Sequence, residues 1–278
     1  MTEDEILVRH ETDGAVSYVT LDRPKKLNAI SNALRSQAMA AFEAADAEPA
    51  TRVVVLRGEG RAFCVGYDIS SELEGDQSWR SDALVWRAYL HECLAFEMKP
   101  LEMKKPVIAS VQGYAAGGGC ELAMFCDLTI CAESAKFGEP EIRFSNAGPA
   151  LIMPFVVGHK RARELLYYGD FIDARTALEC NMVNRVVPDT DLVAETKRYA
   201  DRLALVDPEA LYGTKQALRQ GMAAAGIRTA LINGVDVVAP MYAARTASGS
   251  HFMEIASAHG LPAALKWRNG QFDALAPR

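Results

Sequence analysis

The sequence predicts an α/β fold. Short apolar, β-branched runs recur near residues 53, 107, 128 and 183, with helix-like stretches between them, and such alternation builds layered sheets covered by helices. Val53-Val54-Val55-Leu56 and Val107 to Val111 are continuous apolar runs of strand length, as expected of strands covered on both faces. From Asp191 onward the pattern turns helical only. That shift divides the chain into a core at 1–190 and a helical C-terminal region at 191–278.

Residues 5–22 form a hairpin, with a turn at Asp13-Gly14 and a β-branched, aromatic second arm. Arg23-Pro24-Lys25-Lys26-Leu27-Asn28 interrupts it with three positive charges; a solvated connection and a patch for phosphates both fit. Ser31 caps a helix running to about residue 47, and Pro49 follows its end. After the strand at 53–56, Gly66 precedes a helix start at Asp68, leaving Tyr67 in a turn with an exposed amide. Leu84, Leu90, Leu94 and Phe96 place a helix over Trp79 to Met98. A strand at 107–111 follows, and Leu128 to Cys131 and Lys136 to Gly138 are extended. Ile142 to Val157, apolar and broken by glycine and proline, fits a pocket wall or a plain core loop. Helices at 159–168 and 173–180, the latter capped by Asp173, lead to a last strand at Asn184 to Pro188. Helices at 191–206, 208–222, 227–246 and 250–268 complete the chain. Their alanine- and methionine-rich faces suit intramolecular core or a neighbouring subunit.

The stretch from Gly113 to Glu141 organises the rest. Gly117, Gly118 and Gly119 open a helix-like run, Glu121 to Cys126. Consecutive glycines let a ligand approach the backbone amides. A helix beginning there leaves its first N–H groups unpaired at the positive end of the dipole. Glu121 lies among Cys120, Leu122, Ala123, Met124 and Phe125, so it is aimed into a cavity or expensive to bury. An amide donor beside such a carboxylate is a catalytic arrangement, although glycine turns before helices are also common in packing roles.

Composition narrows the field. Half of the 278 residues are hydrophobic, enough for a substantial core. The formal net charge of −6 disfavours nucleic-acid binding. The six cysteines show no CxxC pair and no histidine partners at metal spacing, so neither a disulfide framework nor a metal site is expected. The acidic start MTEDEILVRH lacks a signal-peptide core, and no apolar run reaches membrane-spanning length. A soluble, cytoplasmic protein is expected.

RPKKLNA at 23–29, FCVGYDI at 63–69, KKPVIASVQGYAAGGGCELAMFCDLTI at 104–130, FGEPEI at 137–142 and ARTALECNMVNRVVP at 174–188 together resemble the crotonase superfamily, the enoyl-CoA hydratases and isomerases. The resemblance implies a spiral of ββα repeats, a C-terminal trimerisation region, and a homotrimer or dimer of trimers. It implies an acyl-CoA substrate, with coenzyme A part of the thioester and no separate cofactor. The backbone N–H groups of Tyr67 and Gly118 stand at the oxyanion-hole positions, and Glu121 and Glu141 where the two hydratase glutamates stand. Lys25, Lys26 and Leu27 fall in the nucleotide-binding segment; Val65 and Ile69 flank the thiol arm, beside Gly117. Both acids together favour hydration of a 2-enoyl thioester, Glu121 activating water and Glu141 supplying the Cα proton. The alternatives are a Δ3,Δ2-enoyl-CoA isomerase, a hydrolase or a C–C lyase using the same oxyanion hole, or a CoA-binding protein without turnover. The chain departs from the family pattern at Ser70, where a lysine is common, and at RFSNAGPALIMP after Glu141. Ala264 and Trp267 replace a C-terminal phenylalanine and lysine, with Lys266 or Arg268 available to restore the charge. Tyr67 replaces a small residue.

Overall fold

The computed structural model describes residues 5–69, 78–244 and 246–273. Strands β1 (Val8–Asp13) and β2 (Val16–Leu21) form the antiparallel hairpin about Gly14, whose φ of 60° suits the tight turn. Helix α1 (Asn32–Ala47) follows, its N-terminus closed by the Ser31 hydroxyl accepting from Leu34 N at 3.2 Å. Then come β3 (Val53–Gly58), α2 (Ala83–Glu97), the single turn α3 (Lys99–Glu102), β4 (Val107–Val111) and β5 (Tyr114–Ala116). Helix α4 (Gly118–Phe125), β6 (Leu128–Ala132) and β7 (Lys136–Gly138) complete the central stretch. Helices α5 (Met153–Val157) and α6 (His159–Tyr168), then β8 (Ile172–Asp173), α7 (Ala174–Glu179) and β9 (Arg185–Val187), precede five more helices. These are α8 (Leu192–Ala204), α9 (Pro208–Ala224), α10 (Ile227–Ala243), α11 (Ala247–His259) and α12 (Leu261–Asp273).

The main sheet has the order β1-β2-β3-β4-β6-β9, parallel from β2 onward. Alternation along its apolar strands feeds two cores. Val54, Leu56, Val107 and Ala109 face the larger one, together with α1, α2 and α4. Val53, Val55, Ile108 and Ile130 face the smaller one, closed by Leu192, Ala200 and Ala204 of α8. Helix α10 packs along α2 and puts Leu231, Val235 and Val238 into the larger core. The first and third helices beyond residue 190 are therefore built into the same body as the sheet. Among the described residues no single helix is long and apolar enough to cross a membrane.

A second, three-stranded sheet, β5-β7-β8, was not legible as such in the sequence, because its strands are two or three residues long. It positions the site, since β5 runs through Gly117 straight into α4. The helix start expected at Asp68 runs into residues 70–77, outside the described residues; the Asp68 carboxylate accepts from Arg23 Nη1 at 2.5 Å. Two expected boundaries are corrected. The helix expected from Trp79 begins at Ala83, where Asp82 Oδ1 accepts from Leu84 N at 2.8 Å. The stretch 250–268 is two helices, broken at Gly260 (φ 84°) just before Pro262.

Helix α9 is tied down by one buried cation. Lys215 Nζ donates to Asp127 Oδ2 at 2.7 Å and to the carbonyls of Pro100 and Lys105 at 2.7 and 2.9 Å. Asp127 Oδ2 also accepts from Val107 N at 2.7 Å, which links the network to β4. Removing one partner of such a pair strands the other charge. Lys215→Met is expected to lower the unfolding free energy by about 3 kcal/mol or more in chemical denaturation; a loss below about 1 kcal/mol would contradict this account of α9.

Candidate active site

Asn28 fixes the lysine-bearing loop. It is fully buried at φ 58°, and its Oδ1 accepts from Arg23 N at 2.8 Å. Its Nδ2 donates to the carbonyls of Glu59, Ala62 and Phe63 at 2.9 to 3.1 Å. This clamps residues 23–28 against the segment leading to Val65, whose N–H donates to Leu27 O at 3.2 Å. Lys25 and Lys26 are left exposed at the rim.

The segment through Cys64 runs parallel to β5, bridged by Cys64 N to Tyr114 O at 3.1 Å and Ala116 N to Cys64 O at 2.9 Å. At the adjoining downstream ends lie Tyr67 and Gly118. Among the described residues neither of their amide nitrogens has a protein acceptor. Gly66 (φ 83°) makes the approach possible: a Cβ there would fall 2.8 Å from Ala116 O and 3.2 Å from Gly118 N. Two unpaired main-chain donors side by side, at a helix N-terminus, form an anion-stabilising pair. The Tyr67 ring lies against Gly118, where a Cβ would be 2.6 Å from Tyr67 Cε2.

Four carboxyls crowd behind these amides: Glu97 at the end of α2, Glu121 in α4, and Glu139 and Glu141 flanking Pro140. Glu97, Glu121 and Glu139 are at most 1% exposed. Glu121 Oε1 accepts from Ala150 N at 3.0 Å, and Gly148 is small enough to let that carboxylate pass. Glu141 Oε1 rests on the Cα of Gly117, where a Cβ would sit 2.0 Å away. Burial, and then the charge of Glu141, push Glu121 up to about 8; the Ala150 amide and Glu97 oppose this. Burial pushes Glu141 up to about 7, against its own backbone N–H and the Arg268 charge. Glu97 and Glu139 are raised well above the usual carboxylate range, again chiefly by burial. Groups titrating near neutrality suit proton transfer in either direction.

A cavity of about 1390 Å³ opens onto this cluster, large even for a small-molecule site. Lys25, Lys26, Leu27, Val65, Ile69 and Gly117 all line it, as do Tyr67 and Glu141. Gly118 and Glu121 do not; both are fully buried behind its wall. One end is aromatic: Trp86 stacks at 4.9 Å on Tyr242, whose hydroxyl donates to Ala147 O at 2.7 Å. Helices α11 and α12 close another side with Phe252, Leu265 and Arg268. Of the two cations offered as substitutes in the C-terminal helix, Lys266 is exposed and off the cavity. Arg268 lines it, with its guanidinium 3.8 Å above the Phe144 ring. Ala264 is buried under Phe252, and Trp267 stacks edge-on with His251. Ser70 lies outside the described residues. From the 142–157 stretch, Phe144, Asn146 and Pro149 line the cavity.

The fold and this site have known counterparts. The family model described as enoyl-CoA hydratase/isomerase matches residues 11–250. A probable enoyl-CoA hydratase of Rhizobium meliloti is 36% identical over 225 residues, covering 80% of this chain and 84% of the relative. A crotonyl-CoA hydratase of Syntrophomonas wolfei is 34% identical over 229 residues, covering 80% and 84%. Among solved structures, an enoyl-CoA hydratase/isomerase from Xanthobacter autotrophicus superposes with a TM-score of 0.91 at 34% identity, covering 98% of this chain and 99% of that one. The chain belongs to the enoyl-CoA hydratase/isomerase family of the crotonase superfamily.

Sequence reasoning missed Glu97 and Glu139. Ala95-Phe96-Glu97-Met98 carries the signal used for Glu121, a carboxylate inside an apolar run, and the same criterion applied there finds it. The crowding has a thermodynamic signature. An unfolded carboxyl titrates near 4.5, whereas Glu141 in the fold holds its proton to about 7. Between these values only the native state is protonated, so stability falls as pH rises, by up to about 1.4 kcal/mol per pH unit for each such group. Glu141→Gln removes that loss. Its melting temperature should exceed that of the wild type by a margin that grows from pH 5 to pH 7 and then levels; a constant margin would refute the buried, raised carboxyl.

Proposed function

We propose that the protein is an enoyl-CoA hydratase, adding water across the 2,3 double bond of a 2-enoyl-CoA thioester. The observation that carries this reading is the meeting of two near-neutral carboxyls, Glu121 and Glu141, beside the unpaired amides of Tyr67 and Gly118. Water addition puts hydroxyl on Cβ and a proton on Cα, with negative charge rising on the thioester oxygen. The two amides stabilise that charge, each typically by about 3 kcal/mol. Glu121 takes the proton of the attacking water, and Glu141, on the cavity wall, delivers one to Cα. Because the acids are coupled, these roles describe one titrating system.

Lys25 and Lys26 at the rim suit the nucleotide phosphates of CoA, and Leu27, Val65 and Ile69 the apolar length of its arm. Coenzyme A enters as part of the substrate, with no separate cofactor. The trimer or dimer of trimers belongs to the same reading, supported by exposed Leu218 on α9 and Val237 on α10. A cytoplasmic setting belongs to the same reading, with the six cysteines free of disulfide pairing.

Purified protein mixed with crotonyl-CoA, and with longer, branched and ring-bearing enoyl-CoAs, should bleach the enoyl-thioester absorbance. In H₂¹⁸O the label should appear at Cβ; turnover without label there would indicate an isomerase, and no turnover across the panel would sink the reading. Glu121→Gln and Glu141→Gln should each lower kcat by roughly 10²–10⁴-fold, with small changes in KM.

A further inference from the structure

Glu97 is used by nothing above, yet it is the carboxyl most intimately joined to Glu121. It closes α2, is 0% exposed, and packs onto the first turn of α4, where a Cβ on Gly118, three residues before Glu121, would fall 2.8 Å from Glu97 Oε1. Each carboxyl has one satisfied oxygen: Tyr67 Oη donates to Glu97 Oε1 at 2.6 Å, and Ala150 N donates to Glu121 Oε1 at 3.0 Å. Each has one orphan, Glu97 Oε2 and Glu121 Oε2, fully buried and without a partner. Two ionised carboxylates cannot face one another in an apolar setting, and buried acceptors without a donor are costly. A single proton between the two groups removes both problems.

We propose that Glu97 and Glu121 share one proton, Glu97 being a positioning residue that holds Glu121 as an oriented carboxylate, with Tyr67 joining the pair to the cavity wall. The chain of donors then reads without a gap: Tyr67 hydroxyl to Glu97, Glu97 acid to Glu121, and Ala150 amide to the other Glu121 oxygen. The Tyr67 ring and the Glu97 carboxyl together occupy the space over Gly118, where a Cβ would be 2.8 Å from Glu97 Oε1. Phenol and acid thus form one unit. The direction of mutual influence agrees: Glu97 is raised by Glu121, while the contact with Glu97 holds Glu121 down against its burial. The other titratable groups facing the pair are Cys93 beside Tyr67, with Arg35 Nη1 3.3 Å from its sulfur, and Cys120, Glu139 and Glu141 around α4.

The activity arm of the test rests on the hydratase reading; a spectroscopic arm does not. In Glu97→Gln the amide keeps both contacts, accepting from Tyr67 and donating to Glu121, but cannot ionise. It should keep kcat close to that of the wild type and lose the alkaline fall in the kcat profile that departure of the shared proton produces. Glu97→Ala strips the donor from Glu121. It should lose kcat about 100-fold with KM little changed, and its acidic limb should move to higher pH. Wild-type kinetics in Glu97→Ala, or an alkaline limb surviving in Glu97→Gln, overturns the proposal. Independently of turnover, the infrared difference spectrum of wild type minus Glu97→Gln at neutral pH should show a protonated-carboxyl C=O band that shifts in D₂O. A carboxylate band in its place overturns the shared proton even if no enoyl-CoA is turned over; the protonated band without turnover leaves the pair standing and removes only the hydratase reading.

Discussion

The structure depends on a conflict between burial and charge. Glu97, Glu121, Glu139 and Glu141 are gathered around one glycine turn with little cationic relief: Arg268 reaches Glu141 by its charge, and Ala150 supplies one backbone hydrogen bond to Glu121. In water each carboxyl would ionise freely. Around the glycine turn they share too few protons and too few donors, and every one is raised. The arrangement costs stability and supplies groups able to give or take a proton near neutrality.

The fold offsets this strain by over-determining the surroundings. The main sheet is covered on both faces, by α1, α2 and α4 in one layer and α8 in the other. The small second sheet aligns the Cys64 segment with β5, so that two amide nitrogens end side by side. Gly66, Gly117 and Gly118 serve as three clearances: one for a neighbouring strand, one for the Glu141 carboxyl, one for the Tyr67 ring. None is interchangeable with alanine without moving something that the chemistry uses.

Much of this was legible in the sequence. The apolar strand runs, the Ser31 cap and the Asp13-Gly14 turn announce themselves because they depend on neighbours within a few residues. The carboxylate inside an apolar run at Glu121 was legible for the same reason. What was not legible depends on distance along the chain. Glu97 meets Glu121 across 24 residues and two helices, and no local pattern records that meeting. The strands of the second sheet are too short to show a period, and the Arg23–Asp68 ion pair joins residues 45 apart in the chain. Asn28 looked like part of a solvated loop, although its four hydrogen bonds hold that loop in place. Arg268 and Lys266, equivalent by sequence, are separated only by which side of α12 meets the cavity.

The most direct test is a crystal structure with a bound, unreactive 2-enoyl-CoA analogue. The account requires the thioester oxygen to lie about 3 Å from both the Tyr67 and Gly118 nitrogens, with one water within reach of both Glu121 and Glu141. A thioester oxygen seated away from either amide, or a water reached by one carboxyl alone, would contradict it.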